Sequence, residues 1–297
     1  MHTKRQYHLI GACSCWGAQI RACEKGPEAL AEGAIFERLI QQGFPIQHVE
    51  MLYPSHRASN EVVPQEELLP LIQQFNIHLA HTVRKALAHH AFPIILGGDH
   101  SIAVGTWNAF TPPFGLLWID AHMDSHTPKT TPSGAYHGMP LAALLGHGAP
   151  EMAQLLHKEA VLQPQNIALI GVRSFEEGEA ALLQKLNVRI YFIEEVRQRG
   201  LHTIFPESIA HITQNVDRYG ISLDLDSFSP EEVPGVGSPE AEGFKTTELL
   251  PLLATCGLDE RLIGFELVEF NPERDVSHKT REVIFEILQK VMQPWSK

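Results

Sequence analysis

Seven short apolar runs recur along the chain: His8–Gly11, Pro93–Leu96, Phe114–Ile119, Ile167–Ile170, Val188–Ile193, Ile221–Leu225 and Leu262–Leu267. They are apolar on both faces, which fits strands buried in a parallel sheet covered on both sides. Longer segments with helical spacing lie between them. In Glu66–His90, the residues Leu68, Leu69, Ile72, Phe75, Leu79, Val83 and Leu87 recur at threes and fours, and Val283, Ile284, Ile287, Leu288 and Val291 do the same in Ser277–Met292. Strand and helix alternate throughout, without internal repeat or low-complexity linker. The pattern predicts one α/β domain over residues 1–297. The stretch Ser229–Gly243, with three Pro and three Gly, is too long for a mere connection. In such sheets ligands bind beyond the carboxyl ends of the strands, so the residues after each apolar run are the first candidates for chemistry.

Composition narrows the function classes. The balance of 23 Lys+Arg against 35 Asp+Glu gives a net charge of −12, which argues against nucleic-acid binding. With 44% hydrophobic and 20% charged residues the chain can build a sizeable core. No apolar stretch approaches the roughly 18 residues of a membrane span, and Met1 to Gly11 carries no signal-peptide segment. Cys13, Cys15, Cys23 and Cys256 have neither zinc nor redox spacing and read as reduced thiols, so a cytoplasmic location is expected.

Three apolar runs end in acid and histidine clusters: Gly97-Gly98-Asp99-His100-Ser101, Asp120-Ala121-His122-Met123-Asp124 and Asp224-Leu225-Asp226. In extended chain, alternate residues project to one side, so Asp120, His122 and Asp124 are expected to face one point, as are Asp224 and Asp226. A lone Asp-x-His is usually an ordinary solvated acid and imidazole at a strand end. Four carboxylates gathered at the tips of three neighbouring buried strands would repel and lose hydration, at several kcal/mol per ion. No Lys or Arg in these motifs offsets them, whereas two divalent cations would. Carboxylates with imidazoles and no thiolate suit Mn²⁺ best, with Fe²⁺ or Co²⁺ also compatible. Two such ions can share a hydroxide formed at neutral pH.

These motifs, together with Ser133-Gly134-Ala135-Tyr136-His137-Gly138 and Ser222-Leu223-Asp224-Leu225-Asp226, resemble the signatures of the ureohydrolases, the arginase and agmatinase family. The likeness runs from Ile10-Gly11 to Glu269-Phe270-Asn271-Pro272, and the Thr127–Pro140 stretch is most similar to the arginase branch. The resemblance implies a three-layer α/β/α domain with a mostly parallel eight-stranded sheet, in trimers or hexamers. It implies two Mn²⁺ and hydrolysis of a guanidino substrate, L-arginine to L-ornithine and urea, by a metal-bridging hydroxide. His100 and Asp124 would bind one ion and His122 and Asp226 the other, with Asp120 and Asp224 bridging.

By the same resemblance, Asp124 would help move the proton, His137 would serve amine departure, and Glu269 would grip the guanidinium with paired charge-assisted hydrogen bonds. His126, Ser133, Glu176 and Glu179 would read the amino-acid end of the substrate. His126 and Ala135 stand where the arginase branch usually has Asn, and Glu176 where it usually has Asp. These departures keep agmatinase, guanidinobutyrase and formimidoyl-group hydrolase activities open, and more remotely a catalytically silent metal-binding subunit. His78, His81, His89 and His90 are expected on the long helix without a chemical role. His147 is given none. Gly235-Val236-Gly237 lacks the third glycine of a dinucleotide loop.

Overall fold

The structure, a computed structural model, describes residues 5–55 and 63–293. Its strands are β1 (Gln6–Ala12), β2 (Ile46–Leu52), β3 (Ala91–Gly97), β4 (Gly115–Ile119), β5 (Ile167–Val172), β6 (Arg189–Phe192), β7 (Tyr219–Asp224) and β8 (Leu262–Val268). They form one eight-stranded sheet in the order β2-β1-β3-β8-β7-β4-β5-β6, every pair parallel. Seven strands match the apolar runs to within two residues at either end. The eighth, β2, is one of the two sheet edges. It reads Ile-Gln-His-Val-Glu-Met-Leu, because an edge strand is covered less fully and tolerates polar residues.

Alternating side chains feed two cores. Leu9, Ile94, Leu117 and Ala168 enter one, packed against Ile204, Phe205, Leu253, Ile284 and Leu288 of the helices on that face. Ile10, Ile95, Trp118 and Leu169 enter the other, packed against Phe75, Leu79 and Val83 of the long helix Gln65–Ala88. Two helix ends differ from the sequence pattern. His90 takes φ 56°, a left-handed conformation that closes the first helix, so His89 and His90 lie beyond it. Ser277 and His278 are also left-handed, so the last helix starts at Lys279 and runs to Val291.

After β3 the chain crosses to β4 on the far side of β8 and β7, leaving the carboxyl ends of β3, β8, β7 and β4 side by side. Gly98 makes the close packing at this end possible. A Cβ there would lie 1.7 Å from the Ser14 carbonyl oxygen, so no side chain fits. The long loop after β7 folds back over the same end, pairing Val236 with Phe270. Among the described residues no helix is long and apolar enough to cross a membrane.

Candidate metal centre

The strand ends bring His100, Asp120, His122, Asp124, Asp224 and Asp226 together. Asp120, Asp124, Asp224 and Asp226 are all buried, as is His100. His100 Nδ1 lies 3.2 Å from Asp120 Oδ2, 2.9 Å from Asp124 Oδ2 and 3.2 Å from Asp224 Oδ2. His122 Nδ1 lies 3.5 Å from Asp120 Oδ1 and 3.0 Å from Asp226 Oδ2. Asp120 therefore turns one oxygen to each histidine and is common to two ligand groups. Asp224 turns Oδ2 to His100, and its Oδ1 accepts from the Asp226 amide at 2.9 Å, as Asp120 Oδ1 accepts from the His122 amide.

Strand alternation alone does not produce this convergence. β4 ends at Ile119, and the cluster from Asp120 to Asp124 lies in the following loop. The Asp120 carboxylate accepts from the His122 amide at 2.7 Å, a local turn typical of Asp, and Asp124 sits at φ 49°. That left-handed residue turns its carboxylate toward His100. Asp226 likewise stands in a short 3-10 turn after β7. Nor are the three motif-bearing strands all adjacent. β8 separates β3 from β7, and Glu269 follows its end.

Without a metal ion the cluster competes for protons: the carboxylates hold His100 and His122 well above the usual imidazole range against burial, and these two histidines lower Asp120. Burial, reinforced by the charges of Asp226 and Asp120, holds the Asp224 carboxyl well above the usual range. Burial likewise pushes Asp226 up to about 6 and raises Asp124. Arg173, outside these motifs, approaches the cluster, but its guanidinium donates to the carbonyl oxygens of Gly171, Asp226, Glu240 and Ala241 rather than to carboxylates.

The donor set fits metal ions on a sharper test. His100 Nε2 is 2.9 Å from Ser222 Oγ, and Ser222 donates its one proton to Glu266 at 2.7 Å. Ser222 can then only accept from Nε2–H, so in the neutral imidazole the lone pair is on Nδ1. That Nδ1 is buried and has no hydrogen-bond partner among the described residues, although three carboxylate oxygens surround it. The three carboxylates hold the His100 imidazole well above its usual range against burial, so positive charge belongs at this point, and in the neutral ring that binds metal the Nδ1 lone pair is where a cation would sit. The imidazole is also stacked on Trp118, with centroids 4.1 Å apart.

The remaining candidates line one cavity of about 140 Å³ beside these groups. His137 Nδ1 is 3.2 Å from Glu269 Oε1. Burial pulls this imidazole down, but the Glu269 carboxylate together with the charges of Asp99 and Asp124 outweighs it and lifts His137 to about 9. Glu269 also accepts from the His100 amide at 3.0 Å and from the Cys23 thiol at 3.2 Å. His126 is buried and closed on both sides: Nε2 meets Glu176 Oε2 at 2.9 Å and Nδ1 meets Thr130 Oγ1 at 3.2 Å. Glu179 is buried, with its carboxyl pushed up to about 8 by burial, and it accepts from the Glu176 amide at 3.0 Å. Ser133 lies at the rim, and Ala135 offers no side-chain donor.

The sequence reading missed four contributors. Ser222 and Glu266 orient His100, Cys23 touches Glu269, and Glu240 of the long loop approaches His122 Nε2 at 3.7 Å. Glu266 carried a readable signal, as the one charged residue inside the apolar run Leu262–Leu267. A buried acid of that kind requires partners.

The sequence model of the Arginase family matches residues 5–293. An arginase of Bacillus caldovelox is 33% identical over 280 residues, covering 93% of this chain and 94% of its own length. The crystal structure of the Bacillus subtilis arginase superposes with TM-score 0.88 at 30% identity, covering 97% of this chain and 98% of that one. A formimidoylglutamase from Bacillus subtilis shares the fold, with TM-score 0.76 at 21% identity over 98% of this chain and 87% of that one. Matched along nearly its whole length in both sequence and fold, the chain belongs to the arginase family and is a ureohydrolase, a hydrolase of guanidino C–N bonds.

Proposed function

We propose that this protein hydrolyses L-arginine to L-ornithine and urea at a pair of Mn²⁺ ions. The observation that carries the metal reading is the unpartnered Nδ1 of His100 amid three carboxylate oxygens, with Asp120 common to both ligand groups. His100 and Asp124 would hold one ion and His122 and Asp226 the other, with Asp120 and Asp224 shared. When bound, the ions supply Lewis acidity and lower the pKa of a water so that it is a nucleophile at neutral pH.

The protein's own residues do the rest. Glu269, anchored by the His100 amide, accepts the planar guanidinium through paired hydrogen bonds and fixes the carbon over the metal pair. The amine nitrogen cannot leave as an anion. His137, kept protonated by Glu269, gives it a proton. Asp124 helps move the proton taken from the water. Glu176 and Glu179 attract the ammonium end, and Ser133 meets the carboxylate. A homo-oligomer and a cytoplasmic location accompany this reading.

A second reading, a decarboxylated or shorter guanidino compound, is favoured by one observation. Both ring nitrogens of His126 are engaged by Glu176 and Thr130, and Ala135 has no donor, so of the residues expected to read this end only Ser133 offers a side-chain donor to a carboxylate, beside Ser238 of the same cavity. Metal-depleted protein is supplied with Mn²⁺, Co²⁺ or Fe²⁺ and assayed for urea from L-arginine, agmatine and guanidino acids. Urea from arginine with highest kcat/KM under Mn²⁺ supports the first reading. Urea from agmatine alone moves the assignment to the second. No urea from any guanidino compound under any of these metals would sink both.

A further inference from the structure

A separate group of metal-type ligands lies at the outer edge of the sheet, away from the strand ends that hold the catalytic centre. His8 stands on β1 opposite His48 on β2, and Glu50 pairs with Ile10, two residues further along. Residues two apart on a strand share a face, so all three side chains project to one side. Glu50 Oε2 is 3.5 Å from His8 Nε2 and 3.9 Å from His48 Nε2, and the three ligand atoms lie within 4.8 Å of one another. The two imidazole rings meet edge-on, with centroids 4.8 Å apart.

Hydrogen bonding does not account for the arrangement. His8 is only 5% exposed, yet among the described residues its Nε2 has no hydrogen-bond partner, and neither has the buried Glu50 Oε2 that lies 3.5 Å from it. An orphaned nitrogen and an orphaned carboxylate oxygen pointing into one space is costly for an interior and natural for a ligand shell. Burial lowers the His8 pKa, the charges of His48 and Lys85 add to this, and Glu50 opposes it. The neutral imidazole that results is the form that binds metal. Lys85, on the helix over this face, is the nearby cation. Its side chain is exposed and free to turn outward.

We propose that His8, His48 and Glu50 form a second, structural Zn²⁺ site that clips the edge strand β2 to β1. Two imidazoles and one carboxylate form a ligand set that recurs in open zinc sites, where water takes the fourth position, here from the solvent side. In a tetrahedral zinc site with bonds of about 2.0–2.1 Å, ligand atoms are about 3.3 Å apart. The 3.5 Å pair is already near that spacing. Only His48, whose side chain is 56% exposed, needs to rotate inward to shorten the 3.9 Å pair. The ion would tie the outermost strand to its neighbour and couple fold stability to zinc. At a hundredfold excess over its Kd, the folded-to-unfolded ratio would rise about a hundredfold.

The test uses Mn²⁺-loaded full-length protein equilibrated with micromolar Zn²⁺, freed of excess and analysed for total metal. The wild type is expected to hold one equivalent more than either His48→Ala or Glu50→Gln, and zinc is expected to raise the Tm of the wild type only. His48 is half exposed and lies outside the catalytic machinery, so His48→Ala should fold and keep wild-type urea production. The reading of the catalytic centre is therefore tested separately. Equal metal content in wild type and both variants, with the same zinc response in Tm, would overturn the proposal.

Discussion

Replacing Ser222 by Ala tests whether His100 is held as a metal ligand from behind. Ser222 and Glu266 are fully buried, and the two hydrogen bonds, 2.9 Å to His100 and 2.7 Å to Glu266, are what hold Nε2 protonated and Nδ1 free. Removing the hydroxyl leaves two buried polar groups without this partner, at about 1–3 kcal/mol each in the stability of the metal-free protein. It also frees the tautomer and the ring angle. Loss of an outer-shell partner of this kind typically costs about 10–100-fold in metal affinity, or about 1.4–2.7 kcal/mol. Glu266→Gln keeps an acceptor for the Ser222 proton, so its effect on metal affinity should stay within about threefold. Metal-depleted protein is titrated with Mn²⁺ against a competing chelator, following bound metal and urea production in parallel. The expected signature is a right-shifted binding curve for Ser222→Ala, with activity largely recovered at saturating Mn²⁺. Wild-type metal affinity in Ser222→Ala would refute the tautomer argument, and so would an equal loss in Glu266→Gln.

Three further outcomes follow from the same geometry. Asp120→Ala should lose both metal equivalents, because one oxygen faces each histidine, whereas Asp226→Ala should keep the ion near His100; elemental analysis of the two variants decides. His137→Asn should lower kcat by about 10²-fold or more, the usual scale for an acid–base group, with metal content unchanged. His137 also sets a pH dependence of stability in metal-free protein, since its ordinary value of 6.5 is raised to about 9 in the fold. The folded value lies above the unfolded one, so the His137–Glu269 pair contributes fully below about 6.5 and loses its contribution as pH rises through about 9. The denaturant midpoints of wild type and His137→Asn should therefore converge from pH 6.5 to above 9, and a gap that widens with pH would contradict the pairing.

How much was legible follows from what each feature demands of the sequence. A strand covered on both faces must be apolar nearly throughout, so seven strands announced themselves, and the clusters behind β3, β4 and β7 stood out against them. β2 gave no such signal, since an edge strand can carry His48 and Glu50 without breaking the core. Helix ends escaped for a different reason. Left-handed residues such as His90 and Ser277 end or delay a helix through backbone conformation, which hydrophobic spacing does not encode.

The site shows the same division between residue type and backbone path. Spacing of two identified Asp120, His122, Asp124, Asp224 and Asp226 as partners, yet its geometric basis, the extended strand, holds for little of the cluster. Asp120 to Asp124 gather through a turn closed by the Asp120 carboxylate and a left-handed Asp124, and Asp226 through a 3-10 turn. Short polar Asp side chains favour such turns by bonding to nearby amides, so the residues that can hold cations also fold the loops that present them. Long-range partners remain invisible to a motif. Ser222 and Glu266 reach His100 from adjacent strands, and Glu176 meets His126 from 50 residues away. The last contact bears most directly on function. A histidine read from sequence as a donor for the substrate is, in the fold, already satisfied by Glu176 and Thr130. Selectivity at that end therefore depends on whether binding a carboxylate can break the His126–Glu176 pair, and a substrate lacking the carboxylate need not break it at all.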